Sequence, residues 1–186
     1  MTLEHSLLQK KSAILRRWFH LIMETYPADS SRFLKQEKDR FANPVGYTIS
    51  QEIKSLYEEL LQNTNLDKIS ASLDSIIRIR SVQDYPPSQA IAFVFLLKKA
   101  IREELANYIG RNLDYEDLLK FEVRIDELAL LALDIYTKCR EKVHNIRLNE
   151  VKAEGERAFR LLEISNLIYE KPETEQSLEN RENPLP

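Results

Sequence analysis

Between Tyr85 and Gly110 the chain reads PPSQAIAFVFLLKKAIREELANYIG, and no other stretch limits the possible folds as strongly. Pro86 and Pro87 bar helix before them, and Pro87 suits a first helical position, where its missing N–H would have no intrahelical partner anyway. Gly110 is placed to close the helix as a left-handed C-cap. From Ala90 to Leu97 nearly every side chain is apolar, so the first half is expected to be surrounded by other elements. Beyond Lys98 the pattern becomes one-sided, with Ile101, Leu105 and Tyr108 inward and Lys98, Lys99, Arg102 and Glu103 outward. A strand would also suit AIAFVFLL, but the helical spacing continues through KKAIREEL and decides for a central buried helix.

The chain before it reads as further helices. The first is expected over Leu3–Thr25, with Leu7, Ile14, Leu15, Trp18, Leu21 and Ile22 on one face and Pro27 ending it. A short helix between two turns follows, bounded by Pro27 and by Asn43-Pro44 with Gly46. Thr48 with Gln51 three residues on forms a capping box, which predicts that the next helix opens there, on the stripe Ile49, Ile53, Leu56, Tyr57 and Leu60. Asn63-Thr64-Asn65 breaks it, and a fourth amphipathic helix runs on Leu66, Ile69, Leu73, Ile76 and Ile77 to about Val82. Only three glycines in 186 residues leave few tight turns, which favours long helices over a meander of strands.

After the central helix, Asp114 is a good N-cap and puts Glu116 and Asp117 in a first turn, where negative charge is favoured. Leu118, Phe121, Ile125, Leu128, Ala132, Ile135 and Cys139 then recur at alternating steps of three and four, an apolar seam of the coiled-coil type. This is the candidate dimer seam, continued less regularly to Ile146. At Leu148 the register changes, and a weaker series begins at Leu148, Val151, Gly155, Ala158, Leu162, Ser165 and Tyr169; such an offset implies unwinding, a bend or a change of partner. A single helix from Tyr115 to Tyr169 would be roughly 80 Å long at about 1.5 Å per residue, too long to stay on a small domain. From Lys171 the chain is polar and proline-rich and is expected to be disordered.

The pattern therefore predicts an all-α protein: one bundle of about six or seven helices with a long C-terminal helix. Its expected divisions are a sensory bundle over 1–147, a helical extension over 148–170 and a disordered tail over 171–186. A net charge of -3 gives no electrostatic footprint for nucleic acid. No window is long and apolar enough to span a bilayer. The single cysteine, Cys139, cannot form an internal disulfide, and no export signal is evident, so a cytoplasmic location is expected.

Catalytic chemistry finds no footing. Glu141 and His144 form one Glu-x-x-His, but a di-iron bundle needs a second pair and two further helical glutamates, and His5 and His20 have no glutamate three residues before them. No histidine lies between His20 and His144, where a proximal haem ligand would be expected. No phosphate loop, nucleophile triad or metal cluster is visible, so no catalytic residue, metal or cofactor is assigned, and the chain is expected not to be an enzyme. The aromatic group Trp18, Phe19, Phe93 and Phe95 is the candidate pocket, should the protein bind a small ligand.

Three segments resemble one known family. PPSQAIAFVFLLKKAIREEL, ILRRWFHLIMETYPADSSRFLKQEKDRFANPVG and LALLALDIYTKCREKVHNIRLNEVK are similar, in order and spacing, to the N-terminal domain of RsbT co-antagonist proteins of the RsbRD type, regulators of bacterial stress signalling; the likeness covers roughly residues 10–152. The resemblance implies a helical, globin-like sensory module without a required haem, paired through its long C-terminal helix. In stressosome proteins that helix leads into an output domain of the STAS type, whereas this chain ends in a polar tail and reads as a stand-alone form. The expectation is a non-enzymatic sensory or adaptor module of signal transduction, a homodimer that acts on an unknown protein partner. The alternative that the resemblance raises is a ligand- or cofactor-binding helical protein accessory to a sulfur or redox respiratory complex, peripheral to the membrane.

Overall fold

A computed structural model describes residues 2–36, 39–62, 65–83, 85–108 and 115–169. Their order is α1 (Leu3–Gln9), α2 (Lys11–Met23), α3 (Ala28–Gln36), α4 (Pro44–Gln62), α5 (Leu66–Val82), α6 (Pro87–Leu105) and α7 (Tyr115–Tyr169). No strand occurs among the described residues, so the chain is all-α with a long final helix. It divides into two compact units, Met1–Glu141 and Lys142–Pro186.

In the first unit α2 packs along α6 and also against α4, while α4 packs along α5. Their apolar stripes meet in one core, in which Trp18, Ile22, Ile53, Tyr57, Ile76, Phe93, Leu97 and Ile125 are fully or almost fully buried. Each such side chain contributes about 1.5–3 kcal/mol by leaving water. Buried polar bonds fix how the helices sit: the Trp18 indole Nε1 donates to the Phe93 carbonyl at 2.7 Å, and the Tyr57 hydroxyl donates to the Leu7 carbonyl at 3.1 Å.

The first helix is two helices. Lys10, with φ -93° and ψ 5°, separates α1 from α2, and its carbonyl accepts from Ala13 and Ile14, each at 2.9 Å. Leu3, Leu7, Ile14, Trp18 and Leu21 keep one helical phase across this interruption, so the apolar pattern carries no trace of it. The fourth helix also opens earlier than Thr48. Asn43 is its cap: the Asn43 Oδ1 accepts from the Gly46 N–H at 2.8 Å, the Asn43 carbonyl accepts from Tyr47 at 3.0 Å, and Pro44 takes the first helical position. Asn43 also donates through Nδ2 to the Leu34 carbonyl at 3.1 Å, which joins the end of α3 to the start of α4. A Cβ at position 46 would come within 2.8 Å of the Asn43 Oδ1, so the close approach of the amide requires glycine there.

The central helix begins at Pro87 as expected but ends at Leu105, before Gly110, which with Asp114 and the 171–186 tail lies outside the described residues. Its apolar half is not surrounded on every side. Ala90, Phe93, Val94, Leu97, Ala100, Ile101 and Leu105 form one buried stripe, and Phe95 is 45% exposed.

The part of α7 in the first unit completes the core and is tied to its neighbours by charged groups. Lys98 on α6 meets Asp126 at 2.6 Å, and Arg102 grips Glu122 through Nε and Nη2, both at 2.6 Å. The Tyr136 hydroxyl donates to the Tyr85 carbonyl at 2.6 Å, and Arg140 donates to the Ser81 carbonyl at 3.3 Å. The second unit opens with the remaining residues of α7, helical through Leu148 to Tyr169.

Candidate functional site

The four aromatic residues of the expected pocket do not come together. Trp18 and Phe93 are fully buried partners in the core. Phe95 faces solvent from α6. Phe19 is half-buried and helps to line a cleft of about 590 Å³ between α2, α3 and α4, with Leu15, Leu34 and Ile53 beside it and Arg16 and Lys54 among its polar lining. No carboxylate among the described residues lines that cleft.

The seam Leu118, Phe121, Ile125, Leu128, Ala132, Ile135 and Cys139 has its apolar partner within its own unit. The first five are buried, the most exposed being Phe121 at 6%, and Ile135 and Cys139 pack half-buried against the same core. Alternating steps of three and four show that one face of a helix is covered without showing what covers it. Cys139 lies with its Sγ 4.0 Å from Asp74 Oδ1 on α5.

The second unit shows the opposite. Leu148, Val151, Phe159 and Leu162 are 42%, 66%, 71% and 60% exposed. At about 100° per residue they fall, with Gly155 and Ala158, on one side of the helix. Nothing lies within 4 Å of where a Cβ at Gly155 would stand.

The most unusual group in the first unit is Arg80, a fully buried cation near the end of α5. It lies three and four residues beyond Ile77 and Ile76, so it shares their buried phase. Arg80 donates through Nη1 to the Gln89 carbonyl and through Nη2 to the Thr25 hydroxyl, both at 2.9 Å. The rings of Tyr85, Tyr26 and Phe93 stand around the guanidinium at 5.2, 5.4 and 5.6 Å. Such contacts favour a cation, more so when water is excluded. Still, no carboxylate among the described residues pairs with it, and the Tyr26 hydroxyl is a further polar neighbour that favours its charged form. Burial pulls the Arg80 pKa below the usual arginine value, against the opposing pull of Tyr26 and Tyr85. Burial also raises that of Tyr26, an effect that the charge of Arg80 partly offsets.

The sequence reading missed this group because IIRIRS resembles an ordinary solvated helix edge. The available signal was the phase of Arg80, which places it with Ile76 and Ile77, whereas Arg78 lies off that face and meets Asp74 at 2.5 Å. Glu141 and His144 are exposed, and no group of three His, Cys, Asp or Glu side chains fit to hold a metal occurs among the described residues.

Comparison with known proteins agrees with the three-segment resemblance. The chain is 26% identical over 157 residues to an uncharacterized protein of Archaeoglobus fulgidus, a match that covers 84% of this chain and 94% of that one. No solved structure matches it. The profile of the RsbT co-antagonist protein rsbRD N-terminal domain matches residues 12–151, about three quarters of the chain. The protein therefore belongs to the RsbT co-antagonist protein rsbRD N-terminal domain family.

Proposed function

We propose that the protein is a sensory and adaptor module of stressosome-type signalling, which acts by contact with other proteins, without catalysis, and pairs with a second copy of itself through the later part of α7. Membership of the family supports the signalling role. The observation that carries the mode of action is the apolar side of the second unit, where Leu148, Val151, Phe159 and Leu162 stand in water. An exposed apolar stripe of this kind marks a contact surface. Its residues repeat at three and four, as in paired helices, and Gly155 and Ala158 in the middle allow two backbones to approach closely. The earlier seam is covered within one chain, so the pairing is assigned to the Leu148–Leu162 series instead.

Sedimentation of the full chain tests this. At micromolar concentration the protein should run as a dimer, and Leu162→Asp should make it a monomer while the fluorescence of the core residue Trp18 stays unchanged. A wild-type monomer over the same range would refute the pairing. A second reading, that the chain binds a small ligand as an accessory of a respiratory complex at the membrane surface, draws on the 590 Å³ cleft at Phe19. No helix among the described residues is long and apolar enough to cross a membrane, so on this reading the protein would dock from outside it. Native mass spectrometry and a visible spectrum of freshly purified protein would reveal a bound species.

A further inference from the structure

We propose that the cleft of about 590 Å³ between α2, α3 and α4 is a binding site for a small amphiphilic anion, with an apolar body and one carboxylate head; this rests on the small-ligand reading of the cleft and not on the pairing through α7. The volume suits a ligand site, for which about 300–1,000 Å³ is usual. All three helices present the same pairing of residues to it. Leu15 and Phe19 stand one turn apart on α2, with Arg16 next to Leu15; Ile53 is followed by Lys54 on α4, and Leu34 by Lys35 on α3. In each pair the apolar residue is the more buried and the cation the more exposed. The cleft therefore has an apolar floor and a basic rim.

The floor is incompletely covered: Leu15 and Phe19 pack against the core on one side and are only half-buried. Apolar surface left in a concavity is what the body of an apolar ligand withdraws from water. One wall is set beforehand, because Asn43 bonds both the Leu34 carbonyl and the Gly46 N–H, and Leu34 and Gly46 both line the cleft. The rim carries charge that the fold does not use. Glu58, one turn beyond Lys54, is held by Lys11 at 2.6 Å, and Glu24, one turn beyond His20, by Lys35 at 3.5 Å. Arg16 and Lys54 form no ion pair among the described residues. A cleft lined by one sign of charge over low-dielectric walls concentrates ligands of the opposite sign. A hydrophilic anion would leave the floor in water, and an apolar cation would meet Arg16 and Lys54 at the rim. An apolar body with an anionic head satisfies both.

The experiment titrates the full chain by calorimetry with decanoate, octanoate, acetate and decyltrimethylammonium, each below its micelle concentration. Decanoate should bind saturably, one per chain, while acetate and the cation of the same chain length should not. Octanoate should bind about tenfold more weakly than decanoate, since each methylene taken out of water is worth about a three- to fourfold change in affinity. The double variant Arg16→Gln/Lys54→Gln changes two exposed positions, so it should fold normally and bind decanoate about three- to tenfold more weakly. Ser50→Trp, at an exposed position of the α4 lining, fills the cleft and should abolish binding. The anionic class is overturned if decyltrimethylammonium binds as tightly as decanoate, or if the double variant binds decanoate as tightly as the wild type; the cleft would then remain a ligand site of another class. The small-ligand reading of the cleft falls as well if decanoate does not bind, or if Ser50→Trp binds it undiminished.

Discussion

Replacing Ile125 by alanine decides whether the seam of α7 is part of one chain's core or a contact between two chains. Ile125 is 0% exposed, flanked on its face by Phe121 and Leu128 at 6% and 4%. Truncating a buried isoleucine costs about 2–5 kcal/mol, the transfer of the lost carbons plus the cavity they leave. That is a large part of the roughly 5–15 kcal/mol that holds a domain together. With a urea slope of about 1–3 kcal/mol per molar, the midpoint should fall by about 1–2 M at unchanged slope. Fluorescence of Trp18, the single tryptophan, reports this unfolding from the core. The measurement is best made in a Leu162→Asp background, so that pairing through the second unit does not contribute. In that background the midpoint should not depend on protein concentration. A seam between chains would instead add about 1.4 kcal/mol for each tenfold rise in concentration, and the effect of Ile125→Ala would fade on dilution. That outcome would refute the assignment of Leu118–Ala132 to the core of one subunit.

Other perturbations test particular bonds. Tyr57→Phe removes the hydroxyl that serves the Leu7 carbonyl and should cost about 1–2 kcal/mol by urea unfolding at neutral pH. Burial raises the Tyr57 pKa above the ordinary tyrosine value. The stability that depends on its neutral form is therefore present below about pH 10 and is lost as pH rises beyond it; the alkaline decline should be shallower in Tyr57→Phe. Asn43→Ala removes both the cap of α4 and the bond to the Leu34 carbonyl, and should lower stability by about 1–3 kcal/mol. Arg102→Ala leaves the Glu122 carboxylate, 4% exposed, without its bidentate partner; because Arg102 itself is half in water, a loss of about 1–3 kcal/mol is expected in a thermal melt, smaller in Glu122→Gln/Arg102→Ala than in Arg102→Ala alone.

Most of the helices were legible because their apolar stripes are long and their boundaries carry chemistry. α5 begins after Asn65, whose Oδ1 accepts from Asp67 and Lys68 at 3.0 and 3.2 Å, and α6 begins at the second proline of its pair. Two boundaries were misread for opposite reasons. Lys10 interrupts a helix without disturbing its apolar phase, so periodicity passes over it. Thr48 and Gln51 form a capping pattern inside a helix, because the competing signal of Asn43 followed by Pro44 takes the start.

The sites were less legible because they depend on partners distant in sequence. Three-four spacing predicted that Leu118, Ile125 and Ala132 would be covered, yet the same spacing serves a core and a coiled coil alike. Trp18 and Phe93 share an aromatic character with Phe19 and Phe95, but only burial separates core from surface. Arg80 draws on Thr25 from the end of α2 and Gln89 from the first turn of α6, a meeting that no local window contains.

The bond from Tyr136 to the Tyr85 carbonyl has a mechanical consequence. Tyr85 is followed at once by Pro86, with φ -62° and ψ 154°, and Pro87, so the residue it joins sits in a connection where two ring-locked torsions remove most of the slack. A loose loop would absorb a displacement of its ends. The stretch from Tyr85 into Pro87 has little such slack, so a movement at the start of α6 is passed to α7 through the Tyr136 hydroxyl.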